Sequence, residues 1–361
     1  MSTTTFESWK KQMADKAKKT KTPISALYEL TPRCNLDCKM CFIHNADSNK
    51  LKDRELSTET WKRIFDEAYD MGLMFAALTG GECLLRSDFK ELYLHLWNKR
   101  VYMTVMTNGI LLDEEYVTFF KTYKPELVQI SLYGSSEQGY LSVTGHYGFE
   151  KVVKNIRNLM DAGIPVKIAV TPSSYMKDDY VNVIRFCKDN GFKFSSGEFF
   201  LLEDRYDTDK DEHYLSSAEI FKLATERASL YGTLVPLSTT PELCGNCTEA
   251  PKGLTCSAGS CTAVVSWDGK MYPCNCMPMD YASLLEISYA QAWEKTKQVV
   301  SEMLLGMECV GCAYDKTCPK CPAIRLTGLY TGHCNPAVCE MTRRLVAAGV
   351  KKLDQTETAC D

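Results

Sequence analysis

Apolar residues recur in two alternating patterns along the first two thirds of the chain. Short, β-rich apolar runs predict strands, and the stretches between them, with apolar residues three and four positions apart, predict helices. The predicted strands are residues 24–31, 75–79, 102–107, 127–133, 166–171 and 192–200, and the predicted helices are 60–69, 89–97, 114–120, 150–160, 180–186 and 218–230. This alternation indicates βαβ units and a parallel sheet. The predicted fold class is therefore α/β, with a partial, TIM-like (β/α)6 barrel.

Polar clusters follow each of the first four predicted strands. Cys34 stands three residues beyond the first strand, and Gly80-Gly81-Glu82 follows the second. Asn108 ends the third and Ser131 lies at the end of the fourth. Reactive groups in parallel α/β sheets collect at the C-terminal ends of the strands. We therefore expect these four clusters to surround one mouth.

The first of these clusters is a triplet of cysteines, Cys34, Cys38 and Cys41. Three thiolates within eight residues can bind one metal cluster, and they cannot all pair as disulfides. Three ligands on a four-iron cluster leave one iron open, as a catalytic zinc site leaves one position open. A zinc loop completed by His44 is the alternative for the same residues.

The last third of the chain has a different composition. It holds 13 of the 18 cysteines, and the alternation of strands and helices stops near Cys244. Asp268-Gly269 lies between two β-like runs, which predicts a hairpin that brings the flanking cysteines together. Cys-x2-Cys pairs in this region fit either iron–sulfur clusters or structural zinc sites. We therefore expect a small, cysteine-rich hairpin and loop domain after the barrel.

Composition narrows the setting without identifying the reaction. The chain has 361 residues and a net charge of −4, which gives no reason to expect nucleic acid as a partner. Neither an apolar signal segment at the N-terminus nor a run of about 18 apolar residues is present, so we expect no membrane partner and a cytoplasmic location. Cysteines in a reducing cytosol serve metals more often than disulfides.

The Cys-x3-Cys-x2-Cys loop after the first strand and the Gly-Gly-Glu after the second resemble the radical S-adenosylmethionine superfamily. The resemblance implies that Cys34, Cys38 and Cys41 hold a 4Fe–4S cluster whose fourth iron binds S-adenosylmethionine. It also implies cofactor contacts from five residues that follow the strands. These are Gly80, Gly81, Glu82, Asn108 and Ser131. Glu82 would accept a hydrogen bond from the ammonium of the cofactor, and the glycines would allow a close backbone approach.

Three positions depart from the pattern of that family. Met40 stands where an aromatic residue is usual, and Leu141 lies near the place of an arginine that contacts the carboxylate of the cofactor. Cys83 replaces the proline or threonine that commonly follows the Gly-Gly-Glu.

The C-terminal cysteines resemble the SPASM module, which carries auxiliary clusters in peptide-modifying members of the superfamily. The resemblance implies two further 4Fe–4S clusters, three in all. The first would use Cys256, Cys261, Cys274 and Cys321, and the second would use Cys309, Cys312, Cys318 and Cys339. The step from Cys318 to Cys321 is one residue shorter than usual in this module.

Several cysteines remain outside these sets. Cys83 and Cys276 are candidate catalytic thiols, because the first should face the mouth and the second should lie near the first auxiliary cluster. Either residue could equally be a small packing residue. No role follows from the sequence for Cys244, Cys247 or Cys334.

The resemblance implies an oxidoreductase that uses a 5′-deoxyadenosyl radical to modify a peptide oxidatively, as in the maturation of ribosomally made peptides by thioether or carbon–carbon crosslinks. Sulfatase maturation is a weaker alternative, because Asn275 stands where those enzymes carry an aspartate base, and an amide cannot take that proton. A small-molecule dehydrogenase or haem-pathway enzyme is the other alternative.

The expected partners are a peptide or protein substrate and a flavodoxin or ferredoxin-type reductant. Because the segment before Ile24 is too short for a leader-binding module, three alternatives stay open: a separate leader-binding protein presents the leader, the substrate is recognised directly, or the substrate is not a ribosomal peptide. The basic run from Lys10 to Lys21 either contacts an acidic leader or forms a solvated helix face. The expected division is a basic N-terminal helix or tail at 1–23, the barrel at 24–235, the SPASM-type domain at 236–347 and a tail at 348–361.

Overall fold

The computed structural model describes residues 5–41, 43, 48–196, 215–232, 256–277, 282–302, 312–314, 317–318 and 336–351. The strands are β1 Ser25–Glu29, β2 Phe75–Thr79, β3 Tyr102–Thr107, β4 Leu127–Ser131, β5 Val166–Val170, β6 Phe194–Ser196, β7 Thr262–Val265, β8 Lys270–Tyr272 and β9 Ala282–Ser283. They form one sheet in the order β6-β5-β4-β3-β2-β1-β7-β8-β9. Neighbours from β1 to β6 pair in parallel, which confirms the predicted partial (β/α)6 barrel.

The helices surround this sheet. They are α1 Phe6–Thr20, α2 Thr58–Asp70, α3 Phe89–Asn98, α4 Glu114–Thr122, α5 Glu137–Thr144, α6 Phe149–Asp161, α7 Tyr180–Asp189, α8 Ser217–Tyr231, α9 Tyr289–Glu302 and α10 Pro336–Ala347. The six helices predicted from apolar spacing are confirmed as α2, α3, α4, α6, α7 and α8. The side chains of Ser57, Asp113 and Ser216 cap the N-termini of α2, α4 and α8, which satisfies backbone N–H groups that have no partner inside a helix.

The two faces of the barrel sheet differ in burial. On the outer face, Tyr28 of β1 is fully buried against α2, with its ring centroid 4.8 Å from that of Phe65. On the concave face, Leu27, Ala77 and Thr104 are paired neighbours in β1, β2 and β3 and remain partly exposed. Complete burial of one large apolar side chain, as on the outer face, stabilises a fold by about 1.5–3 kcal/mol. The stability of the barrel therefore comes from its outer face, which leaves the inner face available for ligands.

The cysteine-rich hairpin is continuous with the barrel sheet. Strand β7 pairs in parallel with β1, with Ser25 opposite Thr262 and Tyr28 opposite Val265, and β8 pairs antiparallel with β7. Gly269 occupies the turn at φ +83°, so the hairpin predicted at Asp268-Gly269 is present. The hairpin, predicted in the domain that follows the barrel, extends the barrel sheet at the edge of β1. This pairing satisfies the backbone of an otherwise open strand edge.

The C-terminal helix packs on the barrel. Met341 and Leu345 of α10 are buried against Ala224 of α8. Among the described residues, none of the helices combines the length and the apolar character that crossing a bilayer requires.

Candidate active site

The three N-terminal cysteines lie on one loop, residues 31–41, which we call the cysteine loop. It leaves β1 at the C-terminal end of the sheet and meets the Gly80-Gly81-Glu82 segment that leaves β2. The Gly81 N–H donates to the Thr31 carbonyl, and the Glu82 N–H donates to the Arg33 carbonyl, both at 2.7 Å. A Cβ added at Gly81 would lie 2.4 Å from the Arg33 carbonyl oxygen. The glycine is therefore needed for the two segments to approach this closely.

Glu82 does not extend into the mouth. Its side chain is fully buried, and its carboxylate accepts the Leu84 N–H at 3.0 Å, the Asn108 N–H at 2.8 Å and the Thr107 hydroxyl at 2.8 and 2.9 Å. Burial raises the pKa of this carboxyl, and the donated hydrogen bonds oppose the rise. The structure thus turns the carboxylate inward, where it joins the ends of β2 and β3. The family resemblance predicts this carboxylate at the mouth, facing the ammonium of the cofactor.

Asn108 extends this network to the cysteine loop. It is 8% exposed, and its side-chain amide donates to the Asn35 side chain at 2.8 Å and to the Cys34 sulfur at 3.7 Å. Its own carbonyl oxygen accepts the Ile110 N–H at 3.0 Å, which fixes the orientation of the amide. An N–H donor directed at a ligand sulfur stabilises the thiolate and tunes a bound cluster. Asn108 therefore lies where a positioning residue for the cluster is needed.

A buried ionic network supports the other side of the loop. The guanidinium of Arg33 donates to both carboxylate oxygens of Glu55, at 2.6 and 3.1 Å. Arg86, 6% exposed, reaches Glu55 at 3.4 Å and both oxygens of Asp88 at 2.8 and 2.7 Å. The Thr31 hydroxyl also donates to Glu55. Two arginines balance two carboxylates, which is the condition under which buried charges are tolerated.

The three thiols lie together at the base of the mouth. Burial, followed by the nearby Glu82 and Cys41, raises the pKa of Cys34 to about 12. Burial, followed by Cys41 and then Cys34, also raises the pKa of Cys38 well above its ordinary value. No three Cys, His, Asp or Glu side chains in the described part of the chain are grouped as ligands of a single metal ion. Three thiolates on one zinc ion would lie within roughly 4 Å of one another, whereas a four-iron cluster binds each thiolate at a different iron.

A buried tyrosine beside the cysteine loop bears on whether the loop fits an iron–sulfur cluster. Tyr140 is fully buried, and its hydroxyl has no hydrogen-bond partner among the described residues. Burial and the neighbouring Cys38 and Cys34 raise its pKa. A buried hydroxyl without a partner costs about 1–3 kcal/mol, and sulfur atoms of a cluster would accept its hydrogen bond. The donor set of three thiols, the Asn108 amide and the Tyr140 hydroxyl therefore fits a sulfur-rich cluster.

Ser131 lies at the same mouth. It ends β4 and is partly exposed on the concave face. Tyr133 follows two residues later. Burial, followed by the nearby Cys38, raises the pKa of Tyr133, and the Ser131 and Thr171 side chains oppose the rise. The predicted mouth thus brings together the cysteine loop, Gly81, Asn108 and Ser131. No sequence pattern predicts a role for Arg33, Glu55 or Tyr140, because these residues do not recur at a characteristic spacing in the chain.

The two candidate catalytic thiols are placed differently from each other. Cys83 is fully buried in the main core, where its S–H donates to the Met106 carbonyl at 3.5 Å. Burial raises its pKa well above the ordinary value, so the expectation that Cys83 faces the mouth is wrong. Cys276 lies beside Cys274, with its N–H donating to the Cys274 sulfur at 3.4 Å. It lies at the opposite end of the sheet, roughly 15 Å from the mouth for strands of five residues.

The described C-terminal cysteines lie at one end of the sheet, near residues 312–318 and in α10. Cys261 directly precedes β7 and Cys274 follows β8, so both lie at the N-terminal end of the sheet, and Cys256 is close enough to affect the pKa of Cys261. Cys312 and Cys318 flank a short turn, and Cys339 lies in α10. The remaining predicted ligands, Cys309 and Cys321, lie outside the described residues, as do His44, Cys244, Cys247 and Cys334.

Comparison with known proteins decides the identity of the barrel. The family model of the Radical SAM superfamily matches residues 28–187, which include the cysteine loop, the Gly-Gly-Glu segment, Asn108 and Ser131. Residues 28–187 are a radical SAM domain. This match supports the binding of S-adenosylmethionine and of an iron–sulfur cluster by the domain.

Relatives match beyond the radical SAM domain. The antilisterial bacteriocin subtilosin biosynthesis protein AlbA of Bacillus subtilis (strain 168) is 27% identical over 267 residues, which cover 72% of this chain and 56% of the relative. An AdoMet-dependent heme synthase of Methanosarcina barkeri is 25% identical over 333 residues, covering 84% of this chain and 92% of the relative. The chain thus spans about half the length of the first of these relatives.

A solved structure supports the fold over nearly the whole chain. SuiB of Streptococcus suis bound to S-adenosylmethionine has a TM-score of 0.64 and 17% identity, covering 92% of this chain and 80% of that one. Likeness at this identity concerns the fold, and it extends past the radical SAM domain into the region of the hairpin.

Proposed function

We propose that this chain is a radical SAM enzyme that oxidatively modifies a peptide, in the manner of enzymes that mature ribosomally made peptides by crosslinking. The observation that carries the proposal is the cysteine loop held by the Gly81 and Asn108 contacts within a matched radical SAM domain. Similarity to a bacteriocin biosynthesis protein favours a peptide as the substrate.

Cys34, Cys38 and Cys41 would hold the 4Fe–4S cluster, with Gly80, Gly81, Asn108 and Ser131 around the S-adenosylmethionine. Bound there, the cluster and S-adenosylmethionine supply a 5′-deoxyadenosyl radical that removes a hydrogen atom from the substrate. The residues of this chain position those groups: Asn108 donates to the Cys34 sulfur, and Glu82 fixes Asn108 through its backbone N–H. The half-exposed concave face gives the substrate access to the mouth.

The proposal includes two auxiliary 4Fe–4S clusters in a SPASM-type domain at 236–347, after a barrel at 24–235. The first would use Cys256, Cys261, Cys274 and Cys321, and its support is that Cys261 and Cys274 flank the same end of the hairpin while Cys256 is near Cys261. The second would use Cys309, Cys312, Cys318 and Cys339. Fully ligated clusters suit electron transfer, which a net oxidation requires, because two hydrogen atoms leave the substrate for each new bond.

The expected partners remain part of this proposal. They are a flavodoxin or ferredoxin-type reductant and either a separate leader-binding protein or direct recognition of the peptide. The proposed location is the cytoplasm. Sulfatase-type oxidation is disfavoured, because the amide oxygen of Asn275 faces the thiols of Cys274 and Cys276 at 3.3 and 3.6 Å, and an amide is not a base at neutral pH.

A second candidate function has one observation in its favour. The heme synthase relative matches over 92% of its own length, so no large additional segment separates the two proteins. The alternative is therefore a radical reaction on a porphyrin-type small molecule of the haem pathway.

A direct comparison of substrates separates the two candidates. The anaerobically reconstituted enzyme is incubated with S-adenosylmethionine, dithionite and peptides encoded by short open reading frames beside its gene, or with a porphyrin carboxylate. Peptide modification predicts a product lighter by the mass of two hydrogen atoms, with the new bond located by fragmentation. Turnover of the porphyrin, with every peptide unchanged, would overturn the proposal in favour of the second candidate.

A further inference from the structure

A cavity of about 270 Å³ opens at the N-terminal end of the sheet, opposite the cysteine loop. Ser25, Phe75, Tyr102 and Thr262 line it, and each is the first residue of its strand. Ala77 and Thr104, on the concave face, form its inner wall. None of these residues belongs to the mouth described above, so the cavity is a second site on the same face of the sheet.

Helix α1 forms the outer wall of this cavity. The Trp9 ring contacts Phe75 and Tyr102, with centroid distances of 6.0 and 5.8 Å. The C-terminal end of the helix is fixed as well, because the Trp293 indole N–H donates to the Lys21 carbonyl at 2.8 Å. The helix is therefore a packed wall, and its inward-facing side chains keep defined positions.

Those side chains carry an excess of positive charge into the cavity. Lys10 and Lys18 both line it, together with Glu126. Lys10 pairs with Glu126 at 2.6 Å, whereas Lys18 has no carboxylate partner among the described residues. Cys261 also lines the cavity. The Lys18 ammonium, beside aromatic and hydroxyl groups, is complementary to a carboxylate on an otherwise apolar or neutral ligand.

The concave face connects the cavity with the mouth. Thr104 lies three residues before Thr107, which ends β3, and Met106 between them is partly exposed on the same face. Three residues of extended chain span about 10 Å. A peptide lying along this face could therefore reach from the cavity to the mouth within three to five residues.

We propose that this cavity binds an aspartate or glutamate side chain of the peptide substrate through Lys18, three to five residues from the position that is modified. The proposal rests on the proposed function, because it names a recognition element of that same peptide. It also explains why Lys18 lines a cavity beside the barrel without a carboxylate partner among the described residues, whereas Lys11, Lys16 and Lys19 are exposed.

The test compares two peptides on two variants. The probes are an acetylated, amidated peptide with one glutamate, four glycines and a leucine, and the same peptide with glutamine in place of glutamate. Binding to the reconstituted enzyme is measured by calorimetry or saturation-transfer NMR. Lys18→Gln removes the ammonium, and Lys19→Gln is the matched control on the solvent side of the same helix. Glutamine preserves helix propensity in both variants.

We expect the glutamate peptide to bind the wild type and Lys19→Gln at least tenfold more tightly than the glutamine peptide, and Lys18→Gln to lose this preference. An equal preference in all three proteins would overturn the proposal. So would a Lys18→Gln variant that shifts the potential of a C-terminal cluster and leaves peptide discrimination unchanged, since Lys18 would then be a charge partner of Cys261.

The proposed function is tested separately in the same samples. Formation of 5′-deoxyadenosine from S-adenosylmethionine and dithionite, without any peptide, reports on the radical chemistry alone. Its absence in the wild type would contradict the proposed function, whereas loss of the glutamate preference only in Lys18→Gln would still support the carboxylate site.

Discussion

Replacing Gly81 by alanine should separate the cysteine loop from the segment that follows β2. The added Cβ would lie 2.4 Å from the Arg33 carbonyl oxygen and 2.7 Å from the Pro32 carbonyl oxygen. These neighbours are backbone atoms that cannot rotate away, so the segments must move apart by roughly 1 Å to restore ordinary contact. The hydrogen bonds from Gly81 to Thr31 and from Glu82 to Arg33, both 2.7 Å, would then break.

The expected cost follows from these two bonds. Each contributes about 1 kcal/mol net, and the buried groups left unpaired add to this, so we expect a loss of about 2–4 kcal/mol in the free energy of unfolding. Gly191→Ala is the control: at φ +66° it has no atom within 4 Å of the added Cβ. Gly191→Ala should lower the free energy of unfolding only by the cost of the left-handed conformation, about 1–2 kcal/mol.

Two measurements distinguish Gly81→Ala from Gly191→Ala: unfolding in guanidinium chloride, which gives the free energy of unfolding, and binding of S-adenosylmethionine. In the reduced, reconstituted enzyme, S-adenosylmethionine should change the EPR spectrum of the N-terminal cluster in the wild type and in Gly191→Ala. Gly81→Ala should show no such change, because its cysteine loop is displaced. A Gly81→Ala protein with wild-type stability and a normal spectral response would refute the reasoning.

Three further predictions concern single side chains around the cysteine loop. Asn108→Asp removes the donor to Cys34 at 3.7 Å and adds negative charge, so the midpoint potential of the N-terminal cluster should fall; an unchanged potential would exclude Asn108 as a tuning residue. Tyr140→Phe removes a buried hydroxyl that has no hydrogen-bond partner among the described residues. The variant should stabilise the cluster-free chain by up to about 1 kcal/mol and should lose its cluster faster than the wild type after reconstitution. Stabilisation of both the cluster-free and the reconstituted form would argue against a hydroxyl–cluster contact. Burial alone would raise the pKa of Asp88, but the hydrogen bonds from Arg86 and Thr58 outweigh burial and hold this pKa below its ordinary value. Asp88→Asn should therefore lower the free energy of unfolding by up to about 1 kcal/mol at neutral pH, after allowance for solvent screening. This difference in stability between wild type and variant should vanish as the pH falls through the folded pKa of Asp88, whereas a difference independent of pH would point to packing.

The sequence predicts the parts of this protein that depend on local pattern. Apolar spacing identifies β1 to β6 and the helices that follow them, because each has one face in the core. The Cys34–Cys41 triplet also follows from spacing, since its three thiols lie on one short loop. Both inferences use residues that are close together in the chain.

The remaining features depend on contacts between distant residues. Pairing of β1 with β7 joins positions more than 200 residues apart, and no local pattern specifies it. The inward turn of Glu82 depends on donors from β3 that the Gly-Gly-Glu motif does not contain. Cys83 next to it is buried for the same reason, because the segment after β2 turns toward the core. Helix α5, which carries Tyr140, is short and has too few apolar positions to show a clear period.

The most direct test of the central claim compares the wild type with a Cys34/Cys38/Cys41→Ala variant after anaerobic reconstitution. We predict about twelve irons per wild-type chain and about eight in the variant, as expected for the loss of one four-iron cluster of three. Only the wild type should convert S-adenosylmethionine to 5′-deoxyadenosine with dithionite. A variant that keeps its full iron content and still forms 5′-deoxyadenosine would contradict the assignment of the radical chemistry to the cysteine loop.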